Sequence, residues 1–303
     1  MKKLLFSLTI LASFLAVSCQ KSDDFAPGQA ENPNGAWFAF SDDAAAVNPT
    51  EYSLDADATS FAYKLSRYTG AGELTVRIIN HSESIFTVPE TVTFQNGSTE
   101  ADLIITFSDV PAKNSLISLE IAPENAALYG QGTAKFSGYL NKMWMKLGEG
   151  LLYDSFTMSS AIEPVVILKS RVSETYRIVD PYADSEAVIA DWGNANGPAC
   201  PFIEIEEYEK DNETFLRWDK FWYNTVMYNG DSDPIKAYLP SVLDASLEAG
   251  DKLNLWCAKD IMMLQPYWYI DGLGGFGQGY PVFIALPGVS VDDFDAFLSE
   301  VLG

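Results

Sequence analysis

The chain has 303 residues, 48% hydrophobic and 13% aromatic, with a formal charge of −23. Such apolar content excludes a disordered chain and spreads the charge over a folded surface, and that charge excludes nucleic acid and anionic headgroups as electrostatic partners. A single histidine, His81, excludes multi-histidine metal centres, and the length leaves room for two domains.

Met1-Lys2-Lys3 is a basic start, followed by an apolar run from Leu4 to Val17 broken only by Ser7, Thr9 and Ser13. The run is shorter than the roughly 20 residues of a membrane-spanning helix, so residues 1–18 read as a cleavable signal peptide. It stops at Ala16-Val17-Ser18-Cys19, which resembles the lipobox of bacterial lipoproteins, with Ala16 where Leu is usual. The resemblance implies cleavage before Cys19 and acylation of its thiol. Two or three acyl chains, palmitate among them, hold a membrane stably at about 0.8 kcal/mol per buried CH₂. Residues 19–34 carry too little apolar content to fold and read as a flexible tether. Gln20-Lys21-Ser22-Asp23-Asp24-Phe25 resembles the acidic export signal behind the lipidated cysteine of Bacteroidetes surface lipoproteins. That resemblance implies the outer membrane and its cell-surface side.

From residue 35 to 139 the pattern is short β-type runs between turn residues. Ala36–Phe40 and Glu51–Leu54 open it; Ser60–Arg67 and Glu73–Ile78 alternate apolar and polar as half-buried strands do. Glu90–Phe94, the Asn96-Gly97 turn, Ala101–Phe107, Leu116–Ile121 and Ala134–Tyr139 follow. This density of strands predicts an immunoglobulin-like β-sandwich. The segments YKLSR, VTFQNGSTEADLIITFSD and ISLEIAP resemble the Calx-β-like sandwiches near the N-termini of many Bacteroidetes lipoproteins of uncharacterised function. In that family an acidic cluster after the TFSD-type strand binds calcium. Here Asp109 is followed by Val110-Pro111-Ala112-Lys113-Asn114-Ser115, which lacks carboxylates for a shell of roughly 6–8 oxygens. The metal is not carried over.

Residues 140–303 read as a second, β-rich domain, with strands expected at Met143–Gly148, Gly150–Phe156, Val165–Lys169, Thr175–Tyr182, Pro201–Tyr208, Thr214–Met227, Lys252–Trp256, Tyr267–Ile270 and Pro281–Leu286. The stretch WMKLGEGLLYDSF through VVILKS to YRIVDPY resembles the module that follows such sandwiches in the same lipoproteins, which implies architecture and location only. Ser290–Leu302 predicts a C-terminal helix, with Ser290 as N-cap, acids in the first turn, and Val291, Phe294, Phe297, Leu298 and Val301 at helical spacing.

Few residues point to chemistry. Gly272-Leu273-Gly274-Gly275-Phe276-Gly277 satisfies G-x-G-x-x-G, but Gly279 and Pro281 follow where a dinucleotide fold needs a helix, so it reads as a loop. His81 reads as a surface turn residue. Glu204, Glu206 and Glu207 are the nearest approach to a paired-carboxylate site, with Glu204 and Glu206 on what alternation makes one solvated sheet face. Cys200 and Cys257 have no metal-type spacing; an extracytoplasmic setting leaves open both a disulfide between them and two buried free thiols. The remaining signal is aromatic: six of the seven tryptophans lie beyond residue 140, beside Asp, Asn, Gln and Arg. Flat rings and planar polar groups are what sugar recognition uses, so Trp218, Trp222, Trp268 and Tyr269 are the candidate ligand residues. On alternating strands half of such rings must instead be core. The sequence therefore reads as a non-catalytic surface lipoprotein without a cofactor, meeting the membrane through its lipid and binding a glycan or an outer-membrane protein partner. A carboxylate-based glycan hydrolase and a purely structural assembly component are the alternatives.

Overall fold

The computed structural model describes residue 32 and residues 34–39, 50–127, 132–158, 161–183, 185–192, 197–228 and 233–303. The signal segment, Cys19 and most of the tether lie outside these residues. The chain is mainly β.

The N-terminal strands are β1 (Ala36–Ala39), β2 (Thr50–Ser53), β3 (Ser60–Arg67), β4 (Leu74–Asn80), β5 (Phe86–Thr87), β6 (Thr91–Phe94), β7 (Glu100–Phe107), β8 (Ser115–Ile121), β9 (Gly132–Thr133) and β10 (Lys135–Asn141). They form two facing sheets, ordered β5-β7-β3-β1-β9 and β2-β10-β8-β4-β6. β2 runs parallel to β10 and the other long pairings are antiparallel. This is an immunoglobulin-like sandwich: each consecutive strand lies in the opposite sheet, so the chain crosses between the two layers at every step. Alternation drives it. In β7 Leu103, Ile105 and Phe107 face inward while Asp102, Ile104 and Thr106 face out. Those three side chains join Phe38, Leu65, Phe94, Ile117 and Leu119 in one core.

From Trp144 a second body is built: β11 (Trp144–Asp154), β12 (Glu163–Ser170), β13 (Thr175–Val179), β14 (Phe202–Lys210), β15 (Glu213–Arg217), β16 (Phe221–Tyr228), β17 (Asp233–Tyr238), β18 (Leu255–Ala258), β19 (Ile261–Leu264), β20 (Tyr267–Ile270), β21 (Gly274–Gly277) and β22 (Val282–Ala285). Helix α1 (Glu186–Trp192) follows β13; the short turns α2 (Pro240–Leu243) and α3 (Glu248–Asp251) follow β17; α4 (Val291–Leu302) ends the chain. Eight strands make one sheet, β15-β14-β13-β12-β11-β22-β19-β18, which curls until its edges approach, the Leu216 N–H donating to the Asn254 carbonyl at 2.9 Å. A four-stranded sheet, β16-β17-β20-β21, packs against its inner face. The shared core takes Ile167, Ile178, Ile205 and Ile284 from the large sheet and Trp222, Ile235, Trp268 and Ile270 from the small one.

The predicted C-terminal helix is α4. Ser290 Oγ accepts from the Asp293 N–H at 3.2 Å, and Phe294 and Leu298 pack with Leu151, Tyr153 and Phe283 on the outer face of the large sheet. Two expected strands, at Met143–Gly148 and Gly150–Phe156, are one: Gly148, at φ +140°, marks a bulge that β11 passes through unbroken. The expected strand Thr214–Met227 is two, divided where Trp218-Asp219-Lys220 turns the chain from one sheet to the other. Strands β17 and β19 were not foreseen.

The two bodies are joined by more than the chain. The Arg171 guanidinium of the second body donates to Asp109 and to the Val110 carbonyl of the sandwich, and Lys142 Nζ, in the link between the two, donates to the Ala58 carbonyl.

Candidate functional site

The small sheet decides where the aromatic residues point. Along Phe221-Trp222-Tyr223 and Tyr267-Trp268-Tyr269 the indoles face inward and the phenyl and phenol rings outward. Trp222 and Trp268 pair with Ala237 from either side, and its small side chain lets their rings meet at 6.2 Å, nearly perpendicular. Trp218, Trp222 and Trp268 are only 5%, 6% and 0% exposed. Each indole N–H is used internally: Trp218 donates to the Ala237 carbonyl, Trp268 to the Tyr280 carbonyl, and Trp222 to Tyr182 Oη. These three residues, candidates for a glycan platform on sequence grounds, therefore offer no ring face to a ligand. The reason is volume: an indole fills the space between two β-layers that a smaller ring would leave void.

A polar network fixes this core. Asp154, fully buried at the end of β11, accepts from the Phe156 and Thr157 N–H groups, from the Thr157 hydroxyl at 2.8 Å and from the Tyr182 hydroxyl at 3.0 Å. Burial raises its carboxyl above the ordinary value despite these four donors. The adjacent Phe156 ring stacks on Trp268 at 4.6 Å.

What the alternation leaves outside is a half-exposed aromatic face. Phe221 and Tyr223 on β16, Tyr238 on β17, and Tyr267 and Tyr269 on β20 surround Lys236. Register places Tyr223 and Tyr269 on either side of Lys236, and Phe221 and Tyr267 on either side of Tyr238. The rings brace one another: Phe221 lies 5.1 Å from Tyr223 and 4.9 Å from Tyr238, and Tyr238 meets Tyr269 at 5.8 Å. Lys236 runs among them, its Nζ donating to Asp271 at 2.5 Å and standing 4.9 Å from the Phe221 ring centre. Partial burial pulls its pKa down, but the hydrogen bond to Asp271 and the nearby phenols outweigh that, so the ammonium stays charged above its ordinary value.

The glycine-rich segment completes this face. Gly272 and Gly274, at φ +78° and +111°, make the turn, and β21 then adds an edge strand. Gly275 sits opposite Tyr269 with no side chain, and a Cβ there would overlap the Tyr267 ring. The motif expected to be a loop is thus a turn and a strand, whose glycines make room for an aromatic ring. Of the four sequence-derived ligand residues, only Tyr269 lies on the face. Phe221, Tyr223, Tyr238 and Tyr267 were missed; strict alternation around Trp222 and Trp268 is the signal that finds Phe221, Tyr223 and Tyr267, while Tyr238 follows only from the register of β17.

The other candidates disperse. Glu204 binds Arg177, Glu206 binds Arg217, and Glu207 accepts from Trp256 Nε1, so each carboxylate has its own partner. His81 is exposed at a strand end, 3.3 Å from Glu120. Asp109, the Calx-β position, binds Arg171. Cys200 and Cys257 are free thiols, and the open alternative of a bridge is not realised: Cys200 belongs to the core between the sheets, Cys257 to the cluster under α4 on the opposite face. Burial pushes the Cys200 thiol up to about 12.

No family model matches the chain, and no curated protein matches it. Among solved structures it is similar to the calcium binding domain CBD12 of CALX1.1, at 9% identity and a TM-score of 0.25, over 43% of this chain and 75% of that one. It is also similar to an auxiliary nutrient binding protein from Bacteroides thetaiotaomicron VPI-5482, at 10% identity and a TM-score of 0.28, over 78% of this chain and 89% of that one. Superposition scores this low assign neither a family nor a ligand. The strand order itself establishes the fold: an immunoglobulin-like β-sandwich followed by a β-rich body with a C-terminal helix.

Proposed function

We propose that this protein is a lipoprotein of the Bacteroidetes cell surface that binds a neutral glycan on the aromatic face around Lys236. The observation that carries the reading is the face itself. Five aromatic side chains are held at partial exposure on one rigid sheet, around a charged donor and a carboxylate that their own ion pair fixes in place. Ring faces meet the C–H surface of a sugar; phenol hydroxyls, Lys236 and Asp271 exchange hydrogen bonds with its hydroxyls. Strand-borne rings braced by neighbours lose little freedom on binding. The strongly acidic chain disfavours anionic polymers as partners.

In this reading residues 1–18 are removed, Cys19 carries the lipid, and residues 19–34 hold residues 35–139 and 140–303 away from the outer membrane. Among the described residues no helix is long and apolar enough to cross a membrane. Labelled palmitate should enter the wild-type protein in cells and not Cys19→Ser, and protease applied to intact cells should remove it from the surface.

The binding test is a glycan array followed by titration. Tyr269→Ala should weaken the best neutral glycan by about tenfold or more, which is about 1.4 kcal/mol. Trp268→Phe should leave binding intact in whatever fraction stays folded. Capture of a protein partner by this face with no glycan bound would replace the glycan reading with an assembly role.

A further inference from the structure

The outer face of the large sheet carries a second feature, where it meets the sandwich. A cleft of about 460 Å³ opens there between the end of β2 and the β11–β13 strands. Arg177 lines it. Its guanidinium is clamped between the Trp144 ring, 3.9 Å from its centre, and the Phe202 ring, at 4.2 Å. Nε donates to Glu204 at 2.7 Å, while neither Nη has a protein hydrogen-bond partner among the described residues. A guanidinium held on both faces and along one edge has lost its rotamer freedom before any ligand arrives. Its two Nη groups form a rigid fork that matches a pair of neighbouring oxygen acceptors.

Beside it runs a chain of hydroxyls. Ser173 Oγ donates to Ser170 Oγ at 3.0 Å and is hydrogen-bonded to the Thr175 hydroxyl at 2.8 Å. Ser170 and Thr175 are buried in the cleft floor while Ser173 is exposed at its lip. Leu54 and Met143 add apolar surface to the lining. Ligand sites favour such junctions between domains, with apolar walls and a few convergent polar groups.

We propose that this cleft is a second saccharide site, taking one neutral sugar unit with the Arg177 fork on two adjacent ring hydroxyls. The inference deepens the glycan reading above, from which it takes only the ligand class. Charge decides between a neutral sugar and a carboxylate-bearing one. Asp55 and Glu204 also line the cleft, so two carboxylates face one guanidinium, in a chain of net charge −23. An anionic ligand would meet repulsion there, whereas a neutral polyol accepts from the fork and exchanges bonds with the hydroxyl chain. The sugar's C–H face meets Leu54 and Met143.

The test is calorimetric titration of the mature full chain with neutral gluco-, manno- and galacto-oligosaccharides of two to six units, and with uronic-acid oligomers for comparison. Arg177→Lys keeps the charge opposite Glu204 and removes the fork; Ser173→Ala removes a hydroxyl at the lip without touching the ring clamp. Each should weaken one saccharide site by tenfold or more while the chain stays folded at the titration temperature, checked by its thermal midpoint, and Tyr269→Ala should leave that site alone. Binding that ignores both cleft variants and responds only to Tyr269→Ala overturns the cleft and spares the aromatic face. Binding that responds to Arg177→Lys and not to Tyr269→Ala does the reverse. Tighter binding of the uronic-acid oligomers, or no saccharide bound at millimolar concentration, also overturns the cleft proposal.

Discussion

Removing the Asp154 carboxylate should unpin the aromatic core, and the structure sets the size of the effect. Asp154→Ala leaves four donors without their acceptor: the N–H groups of Phe156 and Thr157 and the hydroxyls of Thr157 and Tyr182. A buried unsatisfied donor costs about 1–3 kcal/mol. The two hydroxyls can turn to other acceptors, so the two amides dominate and about 3–5 kcal/mol is expected, at the severe end for one substitution. Asp154→Asn keeps one oxygen for the two amides and presents an NH₂ to two hydroxyls able to accept, so about 1–2 kcal/mol is expected. The sign with pH follows from the raised carboxyl. The folded chain binds this proton more tightly than the unfolded one, so its contribution to stability falls as pH rises from about 4 through the folded value. The assay is urea unfolding followed by tryptophan fluorescence, which reports the second body, where six of the seven tryptophans lie. The difference between Asp154→Asn and wild type should shift in favour of Asn as pH climbs from 4 to 8. A cost below about 1 kcal/mol for Asp154→Ala would refute the network as the element that fixes Tyr182 and Trp222.

Three further outcomes follow from particular contacts. Gly275→Val should displace the Tyr267 ring and weaken glycan binding by about tenfold, or about 1.4 kcal/mol, with a smaller loss from Gly275→Ala, both measured by titration. With its thiol pushed up to about 12, Cys200 exposes about one thiolate in ten thousand at pH 8, so iodoacetamide followed by peptide mass spectrometry should find it unmodified until urea unfolds the chain. The raised Lys236 ammonium contributes stability that is fully present below the ordinary lysine value and lost as pH rises through the folded one. Wild type and Lys236→Met should therefore differ by a constant margin at neutral pH and converge in strong alkali, as read by thermal midpoints.

The sandwich was legible because its strands are amphipathic on their own: Ser60–Arg67 and Glu100–Phe107 alternate cleanly, and each alternation names one buried face. The C-terminal helix was legible for the same reason, through Ser290 and its apolar stripe. The second body hid its plan in three places. Pro234 argues against a strand, yet β17 accommodates it at the end of the sheet, next to the β16 bulge. In β19, Ile261-Met262-Met263-Leu264 is apolar on both faces, since α4 covers one and the small sheet the other, so no alternation survives. At Trp218-Asp219-Lys220 the chain leaves one sheet for another, a long-range decision with no local period. The ligand face was half legible. The aromatic strands were right, but choosing between the two sides of Phe221-Trp222-Tyr223 requires knowing that a second sheet needs the larger ring. Read without that layer, the tryptophans stand out and the tyrosines, which carry the face, do not.

The central claim is that the outward aromatic face around Lys236 binds a neutral glycan. The direct measurement is the affinity of the tightest neutral array hit for wild type, Tyr223→Ala, Tyr269→Ala and Lys236→Met, each with its thermal midpoint. The account predicts a loss of about tenfold or more for each variant at an unchanged fold, about 1.4 kcal/mol apiece. Equal affinity across all four folded proteins would contradict it.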